Sequence, residues 1–244
     1  MNAIGGACVV TCRNCGIVPE AEWECVPASV IEALNGRKCI RSVPKGSFLF
    51  HEGDEVSTLY RLLSGLVLLR KVDGLGNSVV TRLLAPRATI GFRTFLDSQR
   101  HHVSAQCASD VVICCIPAGV ADLAFLHNRA LERVFARHVA EDLSHAEAQV
   151  MTWAALSVRD RILAMIDDLA GGLGATWEDG RQVVPLPVTR TDFAGMAGIA
   201  RETLSRTIRA LRDEGMALFE VDRIVLPDPA RFRAAMTAIR RDRA

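Results

Sequence analysis

Cysteine is the residue type whose spacing in this chain most strongly indicates chemistry. The sequence holds eight cysteines, and half of them fall within the first 25 residues. Thiolates separated by two residues can occupy adjacent coordination sites, and four thiolates suit either an iron–sulfur cluster or a zinc ion. In a reducing compartment such a set indicates metal ligation or redox chemistry rather than disulfide bonds. The clustered cysteines are Cys8, Cys12, Cys15 and Cys25.

The remaining cysteines are more dispersed. Cys39, Cys107 and Cys115 fit the simpler interpretation that they are buried small hydrophobes. Cys114 directly precedes Cys115 on a predicted strand, and neighbours on a strand face opposite sides of the sheet. Only one of these two thiols can therefore point towards a shared site.

A second constellation lies on a predicted helix that ends before Gly215. Glu202, Ser205, Arg206 and Arg209 follow one another at helical spacing and share one face. In a DNA groove, Arg206 can reach guanine O6 and N7, and Glu202 can accept from cytosine N4. The alternative is an ordinary amphipathic helix whose charged face is solvated. The apolar positions predicted to face the core are Leu204, Ile208 and Leu211.

The residues before this helix predict a helix-turn-helix. Thr189 and Asp192 form a capping box in which Asp replaces the usual Glu, and Gly198 supplies a turn. Flanking arginines can hold phosphates, since most contacts to DNA are made to its backbone. The arginines with this expected role are Arg190, Arg209 and Arg212.

Length and charge constrain the elements that position these residues. The 244 residues allow two ordinary domains, and 29 basic residues nearly cancel 28 acidic ones. Basic residues must therefore be locally concentrated if nucleic acid is bound. No apolar stretch approaches the ~18 residues of a membrane span, and the N-terminus lacks the basic start of a signal peptide. We therefore expect a cytoplasmic protein without membrane contact.

Short strands alternate with turns rich in Gly and Asp between residues 40 and 117, which favours a small barrel or roll. A long helix follows, with one apolar stripe at spacings of three and four. The stripe packs either on its own barrel or on a second subunit. Beyond it, we predict a helix over 158–169 that ends at Gly171-Gly172, a strand within Arg181–Val188 and a hairpin around Asp222-Arg223. The candidate dimer-seam residues are Leu131, Phe135, Val139, Leu143, Ala146 and Val150.

Several segments resemble the Crp/Fnr family of transcription regulators. The run from Pro44 to Asp54 is similar to the opening of the family's β-roll, and Ile90-Gly91-Phe92 to the segment before its last strands. The resemblance implies an α+β fold: an N-terminal β-roll like a cyclic-nucleotide-binding jelly roll, a long central dimerisation helix and a C-terminal winged helix-turn-helix. The implied ranges are a cysteine-rich segment 1–27, the β-roll 28–120, the helix 121–153 and the DNA-binding domain 154–244.

The recognition segment resembles the fumarate-and-nitrate-reduction (FNR) branch of this family. The match to the DNA-reading motif of that branch consists of Thr-Arg-x-Asp followed by Gly-x-x-x-Glu-Thr-x-Ser-Arg, in which the second Thr is Thr203. The resemblance implies a homodimer that binds a palindromic, TTGAT-like inverted repeat in double-stranded DNA through Glu202, Ser205 and Arg206. Directly before Glu202, the FNR branch commonly has an apolar residue, whereas this chain has Arg201, as cyclic-AMP receptor proteins do. The resemblance therefore does not define the outer bases of each half-site.

The cysteines resemble the FNR cluster motif. By that resemblance the ligands of a 4Fe-4S cluster are Cys12, Cys15, Cys25 and Cys114, with Cys8 and Cys115 as alternatives. Oxidative loss of the cluster would shift the dimer towards a state that does not bind DNA, so the implied signal is oxygen or nitric oxide. A zinc ion, a thiol switch or no cofactor is the alternative.

The other ligand classes are less well supported. The stretch from Ile90 to Ser104 lacks the Gly-Glu and Arg-Ser or Arg-Thr elements of a cyclic-nucleotide pocket, and the histidines show no pattern for haem. An enzyme or a metabolite-binding roll is the third hypothesis, but no nucleophile–base pair or phosphate loop is visible. We therefore expect no enzyme activity, and the resemblance also implies contact with RNA polymerase.

Overall fold

The computed structural model describes residues 27–72, 78–97, 100–125 and 129–241. The chain forms two compact units that divide between Ser144 and His145. The division falls inside the long helix, within the segment 121–153 that the sequence analysis treated as a separate element. No helix in the described ranges is both long and apolar enough to cross a membrane.

Two antiparallel sheets of four strands form the N-terminal unit. Their inward faces enclose a core of buried side chains that includes Leu62, Val67, Ile90 and Ile113. This confirms the predicted jelly roll, called the β-roll below. The strands are β1 (Cys39–Val43), β2 (Phe48–Phe50), β3 (Thr58–Ser64), β4 (Val67–Val72), β5 (Ser78–Leu84), β6 (Thr89–Ile90), β7 (Ser104–Cys107) and β8 (Val111–Pro117). The first sheet has the order β1-β8-β3-β6 and the second β2-β7-β4-β5.

The turn between β3 and β4 requires glycine. Gly65 has φ +85°, and a Cβ on it would lie 2.3 Å from the backbone oxygen of Asp110. Only a residue without a Cβ avoids both the strained backbone and this overlap. This is one of the glycine-containing turns expected between residues 40 and 117, and the overlap gives it a physical cause.

Helices cover the outer face of the first sheet. Ile31 and Leu34 of the first helix pack with Val120 and with Ile116 of β8. The long helix begins against the same unit: Phe135 packs on Leu59. The helices are α1 (Ala28–Arg37), α2 (Phe92–Asp97), α3 (Ala118–Phe125) and α4 (Arg129–Ala155).

The C-terminal unit combines helices with a third antiparallel sheet, ordered β11-β12-β10-β9. Its core is formed by fully buried side chains such as Phe193, Leu211 and Leu226. The elements are α5 (Val158–Leu173), β9 (Thr176–Glu178), β10 (Arg181–Pro185), α6 (Arg190–Met196), α7 (Arg201–Asp213), β11 (Leu218–Phe219), β12 (Arg223–Leu226) and α8 (Pro229–Arg241).

One predicted helix end is wrong. Helix α5 runs through Gly171 and Gly172 and ends at Gly174, whose φ of 79° breaks the helical path. Glycine is tolerated inside a helix at a cost of about 1 kcal/mol, so the first glycines do not by themselves end it. The predicted strand within Arg181–Val188 and the hairpin around Asp222-Arg223 are confirmed as β10 and as the β11–β12 pair.

Candidate nucleic-acid interface

The first helix of the candidate interface begins at a local capping arrangement. The Thr189 hydroxyl accepts a hydrogen bond from the Asp192 backbone N–H at 3.1 Å and donates to the Asp192 carboxylate at 2.7 Å. Capping by a threonine side chain stabilises a helix by about 1 kcal/mol. The arrangement confirms the Thr189 half of the predicted capping box and sets the start of α6 at Arg190, while the Asp192 carboxylate bonds to the Thr189 hydroxyl.

The turn between α6 and α7 is held by two side chains that the sequence analysis did not assign to it. Trp153 Nε1 donates to the Met196 carbonyl oxygen at 3.2 Å, and Arg161 Nη1 donates to the Ala197 carbonyl oxygen at 3.2 Å. Gly198 then reverses the chain with φ +65°, as predicted. These bonds satisfy carbonyls at the C-terminal end of α6, which have no partner within the helix.

Helix α7 has one buried and one exposed face. Leu204 and Leu211 are fully buried, and Ile208 is half-buried. The opposite side is exposed, apart from the half-buried Thr203, and we call its charged and polar side chains the reading face. The reading face consists of Arg201, Glu202, Ser205, Arg206 and Arg209.

Within the described ranges, the side chains of the reading face form no ion pair, in contrast to neighbouring arginines. Arg159 donates to Glu214 at 2.6 Å, and this bond raises the Arg159 pKa. Arg212 pairs with Asp213 at 3.1 Å. The contact recorded for Arg206 is weaker, a hydrogen bond of 3.3 Å to the hydroxyl of Thr203. Arg206 can therefore turn towards a ligand at little energetic cost.

Arg190, predicted to hold a phosphate, lies against the β11–β12 hairpin. Its guanidinium stands 4.8 Å above the ring of Phe219 and donates to the Glu220 carbonyl oxygen at 2.9 Å. Burial lowers its pKa, and its Nη1 is buried with no hydrogen-bond partner among the described residues. The position joins the hairpin to the start of α6, while the phosphate contact stays a prediction.

The apolar stripe of α4 divides into parts with different surroundings. Phe135 packs on its own β-roll, with its ring 5.9 Å from that of Phe92. Leu143 and Val150 are instead about 60% exposed, and Val139 and Ala146 are exposed as well. Leu131 lies on the same helix, but its side chain is outside the described part. The dimer seam stays a prediction, and Phe135 has a partner in its own unit.

The structure places one of the four predicted cluster ligands. Cys114 is buried on the outer face of the first sheet, which also carries Ile116 and is covered by α1 and α3. Arg61 stands in register with Cys114 on the neighbouring strand and therefore shares this face. The other three ligands, and Cys8, lie outside the described residues. Within the described ranges no group of three or more potential metal ligands occurs.

Cys115 points the other way, into the β-roll. Burial and the adjacent Cys39 thiol raise its pKa to about 12. Cys107 is also buried in this core, and burial raises its pKa. Both residues therefore match the interpretation as buried small hydrophobes, whereas Cys39 is exposed, against that interpretation.

The described residues between Ile90 and Ser104 include several buried side chains. Phe92 and Thr94 are buried. The imidazole of His101 is 4% exposed and stacks on Phe50 with ring centroids 3.5 Å apart. Burial lowers the His101 pKa, so the ring is held neutral. A neutral ring supplies no cation for a cyclic phosphate.

Comparisons with known proteins match two separate parts of the chain to two different domains. Residues 40–127 match the cyclic nucleotide-binding domain, and residues 160–235 match the Crp-like helix-turn-helix domain. The transcriptional activator protein Anr of Pseudomonas protegens is 24% identical over 89% of this chain and 89% of its own length. The anaerobic regulatory protein of Aggregatibacter actinomycetemcomitans is 23% identical over 86% of this chain and 82% of its own. The solved structure of FixK2 from Bradyrhizobium japonicum has a TM-score of 0.69 at 19% identity, over 81% of this chain and 96% of that one.

Proposed function

The chain belongs to the Crp/Fnr family of DNA-binding transcription regulators, and we propose that it regulates transcription in response to oxygen or nitric oxide through a cysteine-ligated 4Fe-4S cluster. Relatives of comparable length are named anaerobic regulatory proteins. That similarity supports the proposal, and the chain's own cysteines give it a chemical basis.

The DNA part of the proposal rests on the exposed reading face. Two subunits would present two copies of α7 to successive major grooves, about 34 Å apart, on an inverted repeat. Glu202 and Arg206 would contact base edges, and Arg209 a phosphate. Ser205 is small and exposed between them, so it allows the helix to approach the bases closely. Dimerisation would bury Leu143 and Val150.

The observation that carries the sensing part is the placement of Cys114. It faces the side of the sheet covered by α1, and α1 begins three residues after Cys25 in the chain. Three residues span at most about 11 Å, so covalent geometry keeps Cys25 near the start of that helix. Cys115 points into the β-roll core, on the face opposite to the one that α1 covers.

Cys114, the one proposed ligand among the described residues, therefore suits the group. Cys12, Cys15, Cys25 and Cys114 would hold the 4Fe-4S cluster, which supplies a centre that oxygen or nitric oxide destroys. The chain's own part is to attach the N-terminal segment to the β-roll at Cys114. Loss of that attachment would leave α1 held on this face by its packing with Ile116 and Val120.

The test is purification without oxygen, followed by an absorption spectrum and by iron and sulfide analysis. We expect a broad visible band that fades in air and about four irons per chain. Cys114→Ser should lose the band, and Cys115→Ser is the matched control because its thiol is on the opposite face. A colourless wild-type protein that contains zinc, or no metal, would refute the cluster while leaving the DNA-binding function intact.

A further inference from the structure

Two cysteines that the proposed cluster does not use lie side by side in the β-roll. Cys39 on β1 and Cys115 on β8 are direct partners in the antiparallel register. Direct partners have Cα atoms about 4.5–5.5 Å apart, which is within the range that a disulfide bond requires. The two thiols are also within hydrogen-bonding distance of each other. Both side chains therefore lie on the same face of the sheet and touch.

The pair is asymmetric in its access to solvent. Cys39 is exposed at the edge of the sheet, whereas Cys115 is 6% exposed in the β-roll core. A small oxidant in solution can reach the first sulfur but not the second. This arrangement gives an outer thiol that reacts with the oxidant and an inner thiol that completes the bond.

We propose that Cys39 and Cys115 form a reversible disulfide bond in response to a two-electron oxidant of the peroxide class. Cys39 Sγ attacks a peroxide oxygen, the O–O bond breaks, and a sulfenic acid and one water form. Cys115 Sγ then attacks the Cys39 sulfur, the S–O bond breaks, and the Cys115 proton leaves with the oxygen as a second water. The two sulfurs are oxidised and the peroxide is reduced; a dithiol reductant then restores both thiols by exchange and is itself oxidised to a disulfide.

The neighbouring thiols are excluded by geometry. Cys114 is next to Cys115 in sequence but points to the outer face, and its partner on β1 is Ile40. Cys107 is on β7 in the other sheet and pairs with Val67. Neither can reach Cys39 without breaking a strand pairing. The inference does not depend on the iron–sulfur proposal, because it uses neither Cys114 nor the N-terminal cysteines.

The sequence provides a direct assay. Trypsin cleaves after Lys38 and Arg41, which releases a short peptide that contains Cys39. It also cleaves after Arg100 and Arg129, which releases one peptide that contains the β7 and β8 cysteines. Full-length protein is treated with hydrogen peroxide, its remaining thiols are alkylated, and the digest is analysed by mass spectrometry without reductant. We expect the two peptides to be linked, with a loss of two hydrogen masses, and to separate when reduced.

Single variants identify the partner. The link should disappear in Cys115→Ala and persist in Cys114→Ser and Cys107→Ser. Circular dichroism is used to check that each variant is folded, and wild-type protein is mapped alongside them. Persistence in Cys115→Ala, a link from Cys39 to an N-terminal cysteine, or oxidation of Cys39 to a sulfinic acid without any link would overturn the proposal.

Discussion

Replacement of Arg206 by alanine tests the reading face most directly. Arg206 is exposed on α7, and its recorded hydrogen bond is the 3.3 Å contact to the Thr203 hydroxyl. The substitution therefore removes little from the folded state, and alanine is a better helix former than arginine. The unfolding free energy should change by less than about 0.5 kcal/mol, as for other surface substitutions.

The effect on DNA binding should be much larger. A bidentate contact between arginine and guanine contributes about 1–3 kcal/mol of discrimination. A dimer on an inverted repeat makes this contact twice, so the expected loss is about 2–6 kcal/mol. At about 1.4 kcal/mol for each factor of ten, the dissociation constant should rise between about 30-fold and about 10⁴-fold.

The assay is fluorescence anisotropy with a TTGAT inverted repeat and with a duplex of scrambled sequence, each at several salt concentrations. The loss should be confined to the specific duplex, because a base contact carries the sequence information, and the salt dependence should change little. The control is Arg233→Ala, an exposed arginine on α8 outside the reading face. Equal weakening on both duplexes, or an effect no larger than that of Arg233→Ala, would refute base reading by Arg206.

Three further predictions, one of them with a matched control substitution, concern other parts of the structure. Leu143→Asp places a charge on an exposed apolar position of α4 and should leave a folded monomer in sedimentation velocity; an unchanged profile would exclude this position from the dimer seam. Gly65→Ala meets both a positive φ and a backbone oxygen, so it should lower the unfolding free energy by about 2–4 kcal/mol. Gly46→Ala, with φ +87° but open space around it, should cost about 1 kcal/mol, and equal losses in urea unfolding would contradict the role given to steric overlap. His101 has a pKa lowered by burial from 6.5, so its contribution to stability is present above about pH 6.5 and is lost as pH falls, because the unfolded chain takes up the proton more readily. As the pH falls from about 7.5 to about 5.5, His101→Phe should therefore lose less unfolding free energy than the wild type. An equal loss would show that other groups determine the pH dependence of stability.

Features encoded by neighbouring residues were predictable from the sequence. The Thr189–Asp192 cap, the Gly198 turn and the exposed side of α7 all depend on contacts within one or two helical turns, and the structure confirms them. The β-roll was also predictable, since turn residues at short intervals leave little room for other elements. Helix α5 shows the limit of this local reasoning, because glycine permits a helix end without requiring one.

Features that depend on distant partners were not predictable. Periodicity placed Phe135 and Leu143 on one stripe, but only the tertiary structure shows that the first packs on the β-roll and the second is exposed. Strand alternation placed Cys114 and Cys115 on opposite faces without saying which face is inside. The register that brings Cys39 against Cys115 joins strands far apart in the chain, and no local pattern indicates it.

The contact of Trp153 with the turn before α7 has a practical consequence. Its indole bonds to Met196 and is 39% exposed, whereas Trp177 on β9 is 60% exposed. The emission of a tryptophan depends on the polarity around its ring, so Trp153 is an intrinsic fluorophore placed at the turn of the helix-turn-helix. The chain has two other tryptophans, Trp23 and Trp177. In a background with both changed to phenylalanine, a wavelength shift on addition of DNA would report movement of that turn without an attached dye. The regulator thus contains an optical probe of its own DNA-binding unit.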